Sequence, residues 1–369
     1  MKVPLADLQA QYLALKGEID AAIVAVIESG SFIDGEKVQR LEREIAAFCG
    51  ARFGVGVASG TDALVLSLVA CGIGVGDEVI TTPFTFGATT EAIALVGAIP
   101  VYVDLDLCTF NLDTSRIEQA ITPRTRAILP VDLFGQMADR AVLSDICHRH
   151  GLRLINDSAQ SIGATQNGQP IAVTGDTTTL SFYPTKNLGA YGDGGMVLTN
   201  DEEIAARLRS LHAHGQSSYA HHERIGYCSR LDTVQAVVLL AKLPHLTEAN
   251  DHRRRNAARY NEMLADLSGS ELALPGCEKG SHHIYHQYTL RHTRRDELQI
   301  FLKQHEIDSK VFYPLPMHLQ PAYAYLGYQE GDFPIAERVA KEVLSIPIFP
   351  EMSDAQQKFV AETLHLFSL

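Results

Sequence analysis

Short apolar runs alternate with helical stretches through the first half of the chain, and that rhythm leaves few ways to fold. Gly54–Val57, Glu78–Thr81, Ile99–Asp104, Arg126–Asp132, Leu152–Asn156 and Thr178–Tyr183 read as strands. Helical stretches fall between them, among them Ala141–His150. Strands separated by helices line up parallel, with helices covering both faces of the sheet. The fold class is therefore α/β. Two amphipathic helices precede the first strand. Residues 5–29 place Ile19, Ile23, Val26 and Ile27 on one face, and Lys37–Phe48 carries Val38, Leu41, Ile45 and Phe48 at helical spacing. Beyond a long helix from about Leu246 the pattern loosens. A turn at Pro275-Gly276-Cys277, a strand at His286–Leu290 and a helix at Asp296–Glu306 suggest a smaller α+β domain. The division is set at residues 1–245 and 246–369.

Composition narrows the function. With 46% hydrophobic and 20% charged residues, the 369-residue chain can bury a large core. A net charge of −13 argues against a nucleic-acid or membrane-surface binder, while leaving room for a local basic pocket. The amino terminus shows no signal-peptide pattern and no long apolar span follows, so a cytoplasmic location is expected. The 6 cysteines are widely spaced and read as reduced. The pairs His221-His222 and His282-His283 lack ligand spacing with cysteines or carboxylates, so no metal site is expected. Gly72-Ile73-Gly74-Val75-Gly76 follows a helix and precedes a strand, the wrong order for a dinucleotide fingerprint. Arg253-Arg254-Arg255 reads as a solvated helix face.

Three stretches carry chemistry. In Ser181-Phe182-Tyr183-Pro184-Thr185-Lys186-Asn187-Leu188-Gly189, a strand ends at a proline and one lysine stands in a glycine-rich loop. From Leu180 to Leu198 the other charge is Asp193 alone. An ammonium in such surroundings loses hydration, its pKa falls, and the free amine can attack a carbonyl compound. The bland alternative is a lysine lying over apolar surface. Ser59-Gly60-Thr61, between a strand and a helix start, offers free amides to an anion, although it also reads as a plain helix cap. Asp157 falls at the carboxyl end of a strand, where α/β sheets bind ligands; its alternative is again a helix cap.

Together these residues resemble the DegT/DnrJ/EryC1/StrS family of pyridoxal-phosphate-dependent nucleotide-sugar aminotransferases. The lysine loop with Gly192-Asp193-Gly194-Gly195 is similar to that family's loop. Asp157-x-x-Gln160, Ser59-Gly60-Thr61, Phe86-x-x-Thr89, Ser229-Arg230-Leu231-Asp232, Phe312–Gln320 and Leu344–Ile348 match further segments, in order, from about Asp7 to Pro350. The resemblance implies the aspartate-aminotransferase fold type, with a mostly parallel seven-strand sheet between helices. It implies pyridoxal 5′-phosphate joined to Lys186, its phosphate at Gly60, Thr61 and Ser181, and its ring under Phe86. Asp157 would pair with the pyridine nitrogen and Gln160 with the phenolic oxygen, while Arg230, Tyr313 and His318 would face substrate.

The same resemblance implies a homodimer with active sites shared across the interface. It implies amino transfer from L-glutamate, released as 2-oxoglutarate, to a nucleotide-linked keto-sugar in surface-polysaccharide or lipopolysaccharide amino-sugar synthesis. The 3-keto position of a UDP-N-acetylhexosamine or its uronate is favoured; a dTDP-linked 3-keto-6-deoxyhexose or a 4-keto sugar is the alternative. Two departures stand out: Cys228 where many relatives have an asparagine that reaches the partner's phosphate, and Phe312 where some have histidine. A sugar dehydratase of this fold would carry histidine at the lysine position. A regulator that binds the cofactor without turnover would not need Asp157, Gln160 and Lys186 together.

Overall fold

The protein is described by a computed structural model covering residues 1–269 and 271–368. Seven strands form the central sheet: β1 Phe53–Val57, β2 Glu78–Thr81, β3 Ile99–Tyr102, β4 Thr125–Ile128, β5 Arg153–Asp157, β6 Thr177–Ser181 and β7 Gly195–Thr199. Their spatial order is β1-β7-β6-β5-β4-β2-β3. β2 pairs in parallel with β3 and β4, β4 with β5, and β5 with β6. β7 runs antiparallel to both of its neighbours, β1 and β6. The sheet is thus mostly parallel, as the strand–helix rhythm predicts.

Strand periodicity sorts the core into two layers. In β7, Met196 and Leu198 face one side, where they meet Val38, Leu41 and Ile45 of helix α2 (Glu36–Cys49). Val197 faces the other, against Leu64 and Leu68 of helix α3 (Gly60–Ala70) and Ile93 of helix α4 (Gly87–Leu95). Successive strand side chains point to opposite faces, so a run apolar at every position is buried on both. Helix α1 (Leu8–Ser29) is capped by Asp7, which accepts a hydrogen bond from Ala10 N at 2.9 Å, and ends at Gly30 with φ 68°. Its buried stripe is narrower than its sequence suggests. Ile19 and Val26 are buried, whereas Ile27 is 60% exposed.

The carboxyl-terminal region has its own core. A three-stranded antiparallel sheet, β8 Leu272–Ala273, β9 Tyr288–His292 and β10 Val343–Ile346, lies in that order. Helices Arg295–Gln304 and Asp354–Ser368 pack Leu298, Leu302 and Val360 against Tyr288 and Leu290. Helix Leu246–Met263 is shared: Leu246 belongs to the core beside α2, Ala257 and Tyr260 to the carboxyl-terminal core. Within it the reading of three arginines as a solvated face is corrected at Arg253. That side chain is 7% exposed, and its Nη1 donates to the carbonyls of Ile348 at 2.8 Å and Tyr285 at 3.3 Å. Consecutive helical positions are about 100° apart, so neighbours on one helix meet different surroundings. No described helix is long and apolar enough to cross a membrane.

Candidate active site

The carboxyl-terminal rim of the sheet collects the candidate residues. β5 ends at Asp157, β6 at Ser181, and β1 leads into the Ser59–Gly60 turn. Residues 182–194 join β6 to β7 as a hairpin loop bearing Lys186. The loop is tied inside itself: Phe182 N donates to Gly194 O, Ala190 N to Phe182 O and Lys186 N to Tyr183 O, each at 2.8 Å. Phe182, Leu188 and Ala190 are buried and anchor it to the core. Lys186 remains partly exposed, and among the described residues its Nζ makes no hydrogen bond. Loss of hydration brings its ammonium down to about 8, with the Asp157 carboxylate pulling the other way.

Asp157 is 5% exposed. Its Oδ2 accepts from Thr89 Oγ1 at 2.8 Å, and its Oδ1 from Ala159 N at 3.2 Å. Thr85 Oγ1 lies 2.8 Å from Thr89 Oγ1, one turn earlier on the approach to α4. Burial pushes the Asp157 carboxyl up; the two hydrogen bonds and the Lys186 charge hold it down, and Asp132 adds to the rise. A carboxylate desolvated this way is stabilised by a cation, and a protonated pyridine nitrogen is one. The turn behind it is fastened by buried Asp132, whose Oδ2 accepts from Ser158 at 2.6 Å, Arg140 at 2.7 Å and Ser161 at 2.8 Å.

Gln160 Oε1 accepts from Phe134 N at 2.8 Å, so its amide nitrogen is the free donor and points to Tyr313 Oη at 3.3 Å. Burial keeps the Tyr313 phenol protonated, its pKa raised. The Phe86 ring is 60% exposed, with its centroid 6.1 Å from that of Tyr313. An aromatic so open at a helix start has a free face for another ring. Gly60 sits against Ser181: a Cβ at position 60 would lie 2.7 Å from Ser181 Cβ. Glycine alone lets the start of α3 approach that closely. Ser59 Oγ already accepts from Asp62 N at 3.1 Å, which leaves the Gly60 and Thr61 amides, with no helical carbonyl in reach, for an anion.

Two expected residues sit elsewhere. Arg230 lines a cleft of about 440 Å³ with Ala58, Asp193, Cys228 and Gln235, bounded by neither Lys186 nor Asp157. Its Nη2 lies 3.2 Å from Cys228 Sγ. The segment is fixed by Ser229, which donates to Asp62 Oδ2 at 2.7 Å and accepts from Ala58 N at 3.3 Å. The reading of His318 as substrate-facing is corrected: its side chain is fully enclosed, with Nε2 3.1 Å from Glu337 Oε1. Glu337 also accepts from Gly331 N at 2.8 Å, and Met317 N donates to Pro83 O at 2.7 Å. His318 therefore fastens the strap that supports the Phe86 turn. The sequence reading assigned no role to Thr89, although its spacing after Phe86 was a usable signal.

These residues fit pyridoxal phosphate. An unbonded lysine amine, a desolvated carboxylate, an open aromatic face and free helix-start amides answer its aldehyde, pyridine nitrogen, ring and phosphate. Comparison with known proteins agrees. The model of the DegT/DnrJ/EryC1/StrS aminotransferase family matches residues 14–365. Over 367 residues the chain is 49% identical to a pleiotropic regulatory protein of Geobacillus stearothermophilus, covering 100% of this chain and 99% of that one. It is 46% identical over 367 residues, covering 98% of each, to the UDP-N-acetyl-3-dehydro-alpha-D-glucosamine 3-aminotransferase of Acidithiobacillus ferrooxidans. The crystal structure of S. venezuelae DesV superimposes with a TM-score of 0.97 at 43% identity, covering 100% of this chain and 98% of that one. Bacillus subtilis ntda with bound cofactor PMP gives 0.92 at 30% identity, covering 100% and 86%. The chain belongs to the DegT/DnrJ/EryC1/StrS family and is a pyridoxal-phosphate-dependent sugar aminotransferase.

Proposed function

We propose that the protein transfers the amino group of L-glutamate to C3 of a UDP-linked N-acetyl-3-oxo-hexosamine or its uronate, for amino-sugar synthesis destined for a surface polysaccharide. The observation carrying the amine-transfer chemistry is the pairing of an unbonded Lys186 amine with a desolvated Asp157 at one rim. The sugar is argued from the 46% identity to a 3-aminotransferase acting on a UDP-N-acetyl sugar. Bound pyridoxal phosphate supplies the electron sink and carries the amino group between the two substrates. Lys186 would hold the cofactor, and its free neutral amine would take the proton from the donor Cα and deliver one to C3 of the sugar. Asp157 would keep the pyridine nitrogen protonated, Phe86 would cover the ring, and the Gly60 and Thr61 amides with Ser181 would hold the phosphate. Tyr313, fixed by Gln160, faces the sugar.

A homodimer completes this reading. Leu13, Val24, Ile27, Phe32 and Ile33 expose between 47% and 60% of their surface along α1 and the segment after it. Ile33 also lines the Arg230 cleft, so a second copy covering this face would share that guanidinium with its own site. The test is incubation of the enzyme and glutamate with UDP- and dTDP-linked 3-keto and 4-keto sugars, with sedimentation reporting the dimer. Turnover at UDP 3-keto substrates is expected; turnover confined to 4-keto sugars overturns the regiochemistry, and turnover confined to dTDP sugars overturns the nucleotide. The name of the Geobacillus relative favours a second, regulatory reading. Cofactor bound with no turnover on any keto-sugar would select it.

A further inference from the structure

A buried carboxylate grips, from both ends, the turn that carries Asp157 and Gln160. Asp132 is fully enclosed. Its Oδ2 accepts from Ser158 Oγ at 2.6 Å and from Ser161 Oγ at 2.8 Å, the residues directly after Asp157 and Gln160. Its Oδ1 accepts from Ala138 N at 2.9 Å, and its backbone N donates to Asp157 O at 2.9 Å. Arg140, which opens helix Arg140–His150, donates from Nη2 to the same Oδ2 at 2.7 Å and lies 3.3 Å from Ser158 Oγ. Two hydroxyls and a guanidinium thus converge on one oxygen, a cluster that a charged acceptor holds far better than a neutral one.

The pair is a costly way to fill the space. Arg140 is buried, and among the described residues its Nε and Nη1 have no hydrogen-bond partner. A guanidinium satisfied at one nitrogen alone costs more to bury than an apolar side chain of similar volume. A polar group sealed away on such terms needs a reason other than packing. The turn it secures supplies one. We propose that Asp132 and Arg140 are positioning residues for Asp157. Asp132 fixes the turn at the depth where the Asp157 carboxylate meets the cofactor's ring nitrogen, and Arg140 is the cation that lets Asp132 stay charged inside the core. The proposal rests on Asp157 being the partner of that nitrogen. The Asp157 carboxylate is itself held by Thr89 Oγ1 and Ala159 N, so Asp132 governs where the residue stands and not which way its carboxylate turns.

A cofactor analogue isolates the contact. Wild-type protein is expected to bind pyridoxal phosphate about 10–100-fold more tightly than its deaza analogue, which has carbon in place of the ring nitrogen and forgoes a charge-assisted hydrogen bond. The double variant Asp132→Asn/Arg140→Met removes both charges and leaves a single acceptor for the serines and Ala138 N. Its preference for the ring nitrogen is expected to fall by about five-fold. Its unfolding midpoint in urea should stay near wild type and above that of either single variant, because each single variant leaves one charge buried and unpaired. A wild-type preference in the double variant, or an equal loss of affinity for both ligands, overturns the proposal and assigns the pair to packing. A double variant that loses the summed stability of the two singles overturns the pairing of Arg140 with Asp132. If the double variant does not fold, Ser161→Ala decides, with both charges in place and one tie removed: a preference lowered by about two-fold supports the anchor, and an unchanged one overturns it. Asp157→Asn separates the two levels. A wild-type protein without the preference, or a preference that survives Asp157→Asn, sinks the reading of Asp157 itself. A preference lost in Asp157→Asn but intact in the double variant sinks only the role of Asp132 and Arg140.

Discussion

Two lysines in this protein have the same depressed pKa and opposite fates. Burial brings both Lys186 and Lys242 down to about 8. Lys242, at the end of helix Thr233–Lys242, is 4% exposed; its Nζ donates to Gly189 O at 2.7 Å and sits 4.2 Å from the Tyr191 ring centroid. Lys186, three residues before that carbonyl, has no hydrogen bond on its amine among the described residues. Lys242 is therefore a strut under the loop that carries Lys186. A lowered pKa marks desolvation in both; an amine without a partner marks the one free to react.

The largest separation should come from deleting each amine. Lys186→Ala is expected to lower amine transfer by about 10⁴-fold, the upper end for a lost acid–base group, while Lys242→Met stays within about ten-fold. Equal losses from two folded variants would break the distinction. Asp157→Asn should lower kcat by about 10²–10³-fold, as for a lost preorganised electrostatic partner, and Thr89→Val by about ten-fold. A Thr89→Val loss as large as that of Asp157→Asn would reassign the threonine from support to chemistry.

Acid–base linkage sharpens the contrast. Each lysine binds its proton near pH 8 when folded and near the ordinary value of about 10.4 when unfolded. Between those values the unfolded chain holds more protons, so stability rises with pH, by up to about 1.4 kcal/mol per pH unit for each such group. Lys242 supplies the larger share, because Lys186 is partly open to solvent. Urea unfolding of cofactor-free protein across this window should show a slope that Lys242→Met reduces more than Lys186→Met. The smallest effect expected is the net change in stability of Lys242→Met at neutral pH, where removing a desolvated charge offsets the cost of about 1–3 kcal/mol for leaving the Gly189 carbonyl unpaired.

What the sequence shows of this molecule follows from the distance over which each feature acts. Strands and helices are visible because their apolar spacing is local, and Lys186, Asp157 and Gly60 because each sits in a loop or at the end of an element whose neighbours in the chain constrain it. The reversed direction of β7 is not visible: Gly195–Thr199 is buried at every position, and such a run carries no mark of orientation. Thr89 escapes for another reason. It meets Asp157 across 68 positions. Arg253 looks like its two neighbours until the helix axis places it inward, and His318 looks exposed until Glu337 closes on it from 19 positions away.

The reversal of β7 has a mechanical consequence. A parallel continuation after β6 would need a crossover of a dozen or more residues, ending with Gly195 at the far edge of the sheet. Instead Ser181 pairs with Gly195, and Val57 with Gly195 on its other side, so both stems of the lysine loop are stitched into the middle of the fabric. The loop cannot swing as a lid without unzipping central strands, and its hydrogen-bonded amides at Phe182, Lys186 and Ala190 should exchange more slowly than those of an untethered loop. Any movement of the Lys186 amine is left to the four-carbon arm of its own side chain, swinging from a fixed mount.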